Sequence, residues 1–300
     1  MKTIARGLQF PEGPIAMPDG SLLLVEIARE TLSRVTPDGK VEVVASIPGG
    51  PNGAAIGPDG RVYVCNNGGF GWIRENGTCR TNGPAPGYTH GGIDVVDLAS
   101  GDVQRLYEEV DGQLLKGPND LVFDSHGGFY FTDTGKGRER DLDRGYVYYA
   151  KVDGSGIREV AGGLFLPNGI GLSADGSRLY VAETVTARLW SWDIVAPGVL
   201  SKKPWPSPNG GHCVFGMPGY ARFDSLAVTA SGSICIAALD NCSIVEVKPD
   251  GSHRSHGVPD LLVTNLCFGG DDLRTAYVTL SYEGRVCAMD WHEPGLRLAY

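Results

Sequence analysis

Glu12, Asn52, Asn119, Asn168, Asp224 and Asn265 each open a short apolar stretch, followed by a turn and a second apolar stretch. Two carboxylates and four amides are hard oxygen donors, and the set contains no thiol or imidazole. Brought together, they would suit Ca²⁺, which takes six to eight oxygens, better than Zn²⁺ or copper. Two carboxylates neutralise a divalent ion and the amides add neutral ligands, so other divalent cations stay open. Any one of these residues alone is an ordinary turn residue. Six of them at matching positions form a pattern.

The elements that would position them follow from that pattern. Its clearest copy runs from Pro167-Asn168-Gly169 through Asp175-Gly176 to Glu183. The six copies are spaced by 40, 67, 49, 56 and 41 residues. A repeat of this length, made of strands and tight turns, predicts an all-β fold: a six-bladed β-propeller with four antiparallel strands per blade. The copies span the chain, so residues 1–300 are expected to form a single propeller domain. Residues 2–8 precede Glu12 as residues 41–47 precede Asn52, and are preferred over 296–300 as the strand that closes blade six.

In such a ring the first residue of each innermost strand sits at one mouth of the tunnel. This places the six polar residues together there, with Glu26, Asn66, Asp133, Glu183 and Asp240 as a second, wider ring. Residues 66–90 and 204–222 are long connections to the same face, too irregular for strands, and read as ordered lids. They carry Trp72, Tyr88 and Trp205, together with His90 and His212. Either histidine is a candidate general acid or base or substrate contact, against the commoner surface role. The charged run 136–144 reads as a solvated loop.

Composition narrows the classes. A hydrophobic content of 42% supports a sizeable core, and Gly 44 with Pro 19 fits a turn-rich β protein. A net charge of −9 argues against a nucleic-acid or anionic-membrane partner. No apolar run approaches a membrane span, and a cytoplasmic location is expected. Seven unpatterned cysteines are expected to be reduced and mostly buried.

The motifs Pro11-Glu12-Gly13-Pro14, Gly117-Pro118-Asn119-Asp120, Pro167-Asn168-Gly169 and Phe223-Asp224-Ser225-Leu226-Ala227 resemble the senescence-marker-protein/gluconolactonase/luciferin-regenerating-enzyme family along essentially the whole chain. The resemblance implies a six-bladed propeller with Ca²⁺ at the tunnel mouth, often acting as a sugar lactonase. It implies Glu12, Asn168 and Asp224 as metal ligands, and Asn119 as a ligand or a catalytic substrate contact. Asp224 matches an aspartate that serves as base or ligand. Many relatives carry an arginine two residues before the position of Asn119, where this chain has Gly117 beside Lys116. That departure counts against a gluconolactone-type substrate, and the aromatic loops suggest a less polar one. Asn52, Lys116, Trp72, Tyr88, His90 and His212 are the substrate-contact candidates.

The expected function is a Ca²⁺-dependent hydrolase that opens a small-molecule lactone, with Asp224 as nucleophile or base. The same oxygen-rich site would also serve a phosphotriester or organophosphate hydrolase. A non-catalytic binding or scaffold propeller is the reading from another class, and it needs no such ring.

Overall fold

A computed structural model describes residues 1–300 as strands and turns without a helix. No helix is therefore long and apolar enough to cross a membrane. Six antiparallel sheets surround one axis. From the axis outward, blade one is Pro11–Ala16, Leu22–Glu26, Thr31–Val35 and Val41–Ser46. Blade two is Pro51–Ile56, Val62–Asn66, Gly92–Val96 and Val103–Tyr107. Blade three is Pro118–Phe123, Gly128–Asp133, Gly145–Lys151 and Ile157–Leu164. Blade four begins Pro167–Leu172, Arg178–Glu183 and Arg188–Ala196, and its outer place is shared by Val199–Ser201 and His212–Gly216. Blade five is Arg222–Val228, Ile234–Leu239, Ser243–Val247 and His253–Gly257. Blade six is Val263–Gly269, Thr275–Leu280 and Arg285–Asp290, closed on its outer side by Lys2–Arg6. The preferred closing strand is thus the observed one. Residues 291–300 join no sheet.

Strand position explains the sequence texture. The second strands are sandwiched on both faces, so Leu22–Glu26 and Ile234–Leu239 are buried throughout. They read as continuous apolar runs rather than alternating ones. The outer strand Val41–Ser46 is largely exposed. The core is a series of layers between neighbouring blades. Tyr63, Cys65 and Ile93 of blade two meet Phe129 and Phe131 of blade three. Val122 and Tyr130 of blade three meet Ile170, Val181 and Trp192 of blade four. All seven cysteines are free thiols.

The innermost strands share one irregularity. Each slips register against its neighbour at the polar motif: between Glu12 and Ile15, Pro51 and Ala54, Pro118 and Leu121, Pro167 and Ile170, Phe223 and Leu226, and Val263 and Asn265. A bulge of this kind re-aims a side chain and frees backbone from the ladder. The glycines that follow serve a different need. A Cβ on Gly53 would stand 2.4 Å from the Asn119 carbonyl oxygen, and one on Gly169 would stand 2.4 Å from the Leu226 nitrogen. Backbone meets backbone there, and no side chain can yield.

The structure corrects three expectations about loops. Residues 66–90 are not strandless: Phe70–Glu75 and Thr78–Pro84 form a hairpin. It leans over blade one, where Trp72 packs on Phe10 with ring centres 5.1 Å apart, and reaches blade six, where Cys79 N donates to Tyr282 O at 2.9 Å. Residues 204–222 are not a lid. His212–Gly216 pairs along blade four's third strand, with His212 opposite Ser191. Trp205 stands 91% exposed on an excursion from that outer edge. The run 136–144 is not simply solvated, because Lys136 is 1% exposed. Its Nζ donates to Asn67 Oδ1 at 3.1 Å and Gly69 O at 2.9 Å, and faces the rings of Phe70 and Tyr88 at 4.1 and 4.9 Å. This lysine pins the hairpin's base to blade three.

Two outcomes follow. Gly169→Ala forces inner strands apart and should cost about 1–3 kcal/mol by denaturant unfolding, whereas Gly156→Ala, with nothing within 4 Å of its Cβ, should be near neutral. Equal stability of the two variants would remove the close-approach argument. For Lys136, burial pushes the ammonium down to about 7. The folded state then binds fewer protons than the unfolded chain above that pH, so this group's contribution to stability rises with pH towards the ordinary lysine value and is flat below about 7. The stability difference between wild type and Lys136→Met should follow that curve, and a difference independent of pH would refute it.

Candidate active site at the tunnel mouth

Bulge and closure together bring side chains from all six blades to one mouth. Glu12, Asn52, Asn119, Asn168, Asp224 and Asn265 are all buried, between 3% and 8% exposed. Glu12 Oε2 accepts from Gly13 N at 3.0 Å and from Asn265 Nδ2 at 2.9 Å, which ties blade one to blade six. Asn168 hydrogen-bonds the Asp224 carboxylate, and its Oδ1 accepts from Ser225 Oγ at 3.3 Å, which ties blade four to blade five. Hydroxyls fasten the backbone beside them. Thr132 Oγ1 donates to Asn168 O, and Ser281 Oγ to Pro11 O, both at 2.6 Å.

A third carboxylate joins Glu12 and Asp224. Asp120 is 7% exposed, accepts from Leu121 N at 2.9 Å, and shares the Ser225 hydroxyl with Asn168. It follows Asn119 directly, and sequence reasoning assigned that blade's contribution to Asn119 alone. The signal that could have found it is the aspartate standing where blades one, two and four have glycine.

The electrostatics are severe. Burial pushes Glu12 and Asp120 up to about 7, and the Asp120 charge adds to the effect on Glu12. Asp224 rises well above the usual carboxylate range, through burial first and then the Glu12 charge. Arg222 opposes this from the rim but is bonded to Asp240 at 2.6 Å. Three buried carboxylates thus face one another without a dedicated cationic side chain. Asn119 Oδ1 is in addition buried without a hydrogen-bond partner. An orphaned amide oxygen beside surplus negative charge is what a hard cation would satisfy. The donors fit such an ion.

The second, wider ring is something else. Glu26 accepts from Gln9 N at 2.7 Å, Asn66 from Gly50 N at 2.8 Å, and Glu183 from Phe165 N at 2.8 Å. Asp133 accepts from Lys116 N and Gly117 N, each at 2.7 Å. These side chains clamp the backbone just before each inner strand and hold the ring residues in register. They do not line the tunnel.

The substrate-contact candidates divide. Trp72 and Tyr88 lie on the hairpin side of the mouth, but the Tyr88 hydroxyl is spent on Lys116 O. The Lys116 ammonium pairs with Asp143 at 2.8 Å. His90 Nδ1 faces Gly91 O at 2.8 Å beside the hairpin's base. His212 does not belong to this group. It is exposed on the outer edge of blade four, beside a cleft lined by Arg178, Tyr180 and Val247. Gly117 shows why no arginine stands there, since a Cβ would be 2.5 Å from the Gly135 carbonyl oxygen.

Comparison with known proteins agrees with this architecture. Residues 10–282 match the model of the SMP-30/gluconolactonase/LRE-like region. A lactonase drp35 from Staphylococcus saprophyticus is 31% identical over 249 residues, covering 82% of this chain and 68% of that protein. A gluconolactonase from Zymomonas mobilis is 24% identical, covering 94% and 79%. The solved structure of a calcium-binding protein, regucalcin, from Agrobacterium tumefaciens superposes with a TM-score of 0.75 at 18% identity, covering 99% of this chain and 97% of that one. With the family model matched over nearly its whole length, the chain belongs to the SMP-30/gluconolactonase/LRE-like family.

Proposed function

We propose that the protein is a divalent-cation-dependent lactonase, with Ca²⁺ as the fitting ion. The observation that carries this reading is the set of three mutually repelling buried carboxylates beside the unpartnered Asn119 oxygen, in a chain whose relatives are named lactonases. Glu12, Asn168 and Asp224 would hold the ion, with Asn119 as a further ligand or a contact to substrate. A bound divalent cation polarises an ester carbonyl and offsets the charge that develops on its oxygen.

The chain's own groups supply the remainder. Asp224 takes a proton from the attacking water as the water oxygen bonds to the lactone carbonyl carbon. The ring C–O bond then breaks, and Asp224 returns that proton to the departing oxygen, giving the open hydroxy acid. A carboxylate can accept the proton of water and pass it on to the leaving oxygen. Asn168 orients Asp224 by hydrogen bonding, and Ser225 steadies Asn168 against Asp120. The hairpin carrying Trp72 shields the mouth on the side of blade one. With Gly117 in place of a basic side chain, and Lys116 paired to Asp143, that side presents little to grip a polyhydroxylated ring. The preferred substrate is accordingly a lactone with an apolar body.

Asp224→Ala should lower lactone hydrolysis by about 100-fold or more and weaken Ca²⁺ binding. Asn168→Ala should weaken the ion by a smaller factor, since it removes no charge. Wild-type activity and metal content at Asp224→Ala would refute the assignment. The ion binds only the closed ring, so chelation should lower the melting temperature. At a Ca²⁺ concentration of 100 times Kd the ion contributes about 2.7 kcal/mol. A lactone and phosphotriester screen with and without chelator tests the substrate class, and turnover of phosphotriesters alone would overturn the lactonase reading.

A further inference from the structure

A second cluster of metal-ligating side chains lies far from the tunnel mouth. Asp224 stands near the mouth end of Arg222–Val228. The chain reaches the opposite face at the turn 229–233 and starts back through Ile234–Leu239. Glu246 is opposite Cys235 at that far end, facing blade six. His292 and Glu293 follow the last strand of blade six on the same face. The separation from the mouth is roughly the length of a six-residue strand, about 20 Å.

The cluster is organised. Glu246 is 1% exposed, and its Oε2 is bonded to His256 Nε2 at 2.8 Å. The His256 ring packs against Trp291 with centres 4.4 Å apart and lies parallel to His292 within 10°. Glu246 Oε1 is buried without a hydrogen-bond partner, although His292 Nε2 lies 3.2 Å away. Glu293 Oε1 is 3.9 Å from the same nitrogen. The hydroxyls of Ser231, Thr229 and Ser233 hydrogen-bond the Glu293 carboxylate.

One ligand atom from each of Glu246, His292 and Glu293 falls within 4.8 Å of the others. Ligands bonded at about 2.0–2.1 Å to a tetrahedral ion stand about 3.3 Å apart, so a small inward shift would close the set. The donors differ from those at the mouth in including an imidazole, and two carboxylates balance a divalent charge. His292 is half exposed, which leaves a coordination position open to water.

We propose that Glu246, His292 and Glu293 form a second cation site, selective for a divalent first-row transition ion of the Zn²⁺ type. His256 positions Glu246 from behind. The ion ties blade five to the segment 291–300. That segment runs beneath the tunnel, with Leu296 N bonded to Val228 O at 2.8 Å and Tyr300 against Phe123 at 5.9 Å. The site is therefore a staple across the seam between blades five and six, independent of hydrolysis.

Titration calorimetry with Zn²⁺ alone tests it on the full chain. Wild type and Asp224→Asn should each take up a Zn²⁺ ion whose affinity falls at least tenfold in His292→Ala and in Glu293→Gln. In the Asp224→Asn background Zn²⁺ should raise the melting temperature, and adding His292→Ala should remove that rise. Co²⁺ should give visible d–d absorption that His292→Ala removes. His292 is exposed enough for its variant to fold, which unchanged Ca²⁺ binding at the mouth would confirm. If Zn²⁺ uptake by His292→Ala matches wild type, or if Asp224→Asn abolishes all uptake, the site does not exist. Neither result bears on lactone hydrolysis, which is read separately.

Discussion

Negative charge confined at the centre of the ring is the constraint on which the rest turns. Glu12, Asp120 and Asp224 come from blades one, three and five, and each is buried where its ionised form is disfavoured. Apolar side chains at those positions would remove that repulsion and require no hydrogen-bond partners. The three carboxylates are the groups for which the proposed function supplies a cation. Much of the surrounding architecture serves to hold them there: bulges that aim the side chains, glycines that let inner strands touch, hydroxyls that bridge neighbouring blades, and carboxylates that grip the incoming backbone.

Much of this was legible in the sequence. The phrase of proline, polar residue and glycine, repeated with Asp-Gly turns, carried blade number, strand order and the ring of six, because each part has a local physical cause. What was not legible depended on long-range packing. Repeat position separated Glu26 and Glu183 from Glu12 as a wider ring, but their role in clamping backbone amides appears only in the closed fold. Asp120 was hidden by the asparagine before it. Lys136 sits in a run of charges that is mostly exposed, and its burial arises from Asn67, Gly69, Phe70 and Tyr88, some 50 to 70 residues earlier. His212 looked like a lid residue because 204–222 is long, but hydrogen bonding to Arg188–Ala196 fixes it at the outer rim.

The hairpin and the tail give the tunnel two unlike ends. At the mouth, a hairpin anchored by one buried lysine and aromatic packing overhangs blade one. At the far end, the segment after Asp290 lies across the opening, with Gly295 pressed against Phe268 and Tyr300 against Phe123. The two ends thus present different surfaces, hairpin residues at the mouth and the segment 291–300 at the far end.

The pairing of Lys2–Arg6 with Arg285–Asp290 also bears on how the protein comes into being. A ribosome releases Glu12 long before it makes Asp224, and the strand ahead of Glu12 has no partner until almost every other residue has emerged. Domains rich in such distant pairings fold slowly, and this one must keep an open edge throughout synthesis. Glu12 and Asp224 can meet only late, so any ligand that needs both, the proposed ion included, is bound by a finished ring and not by a nascent or truncated chain.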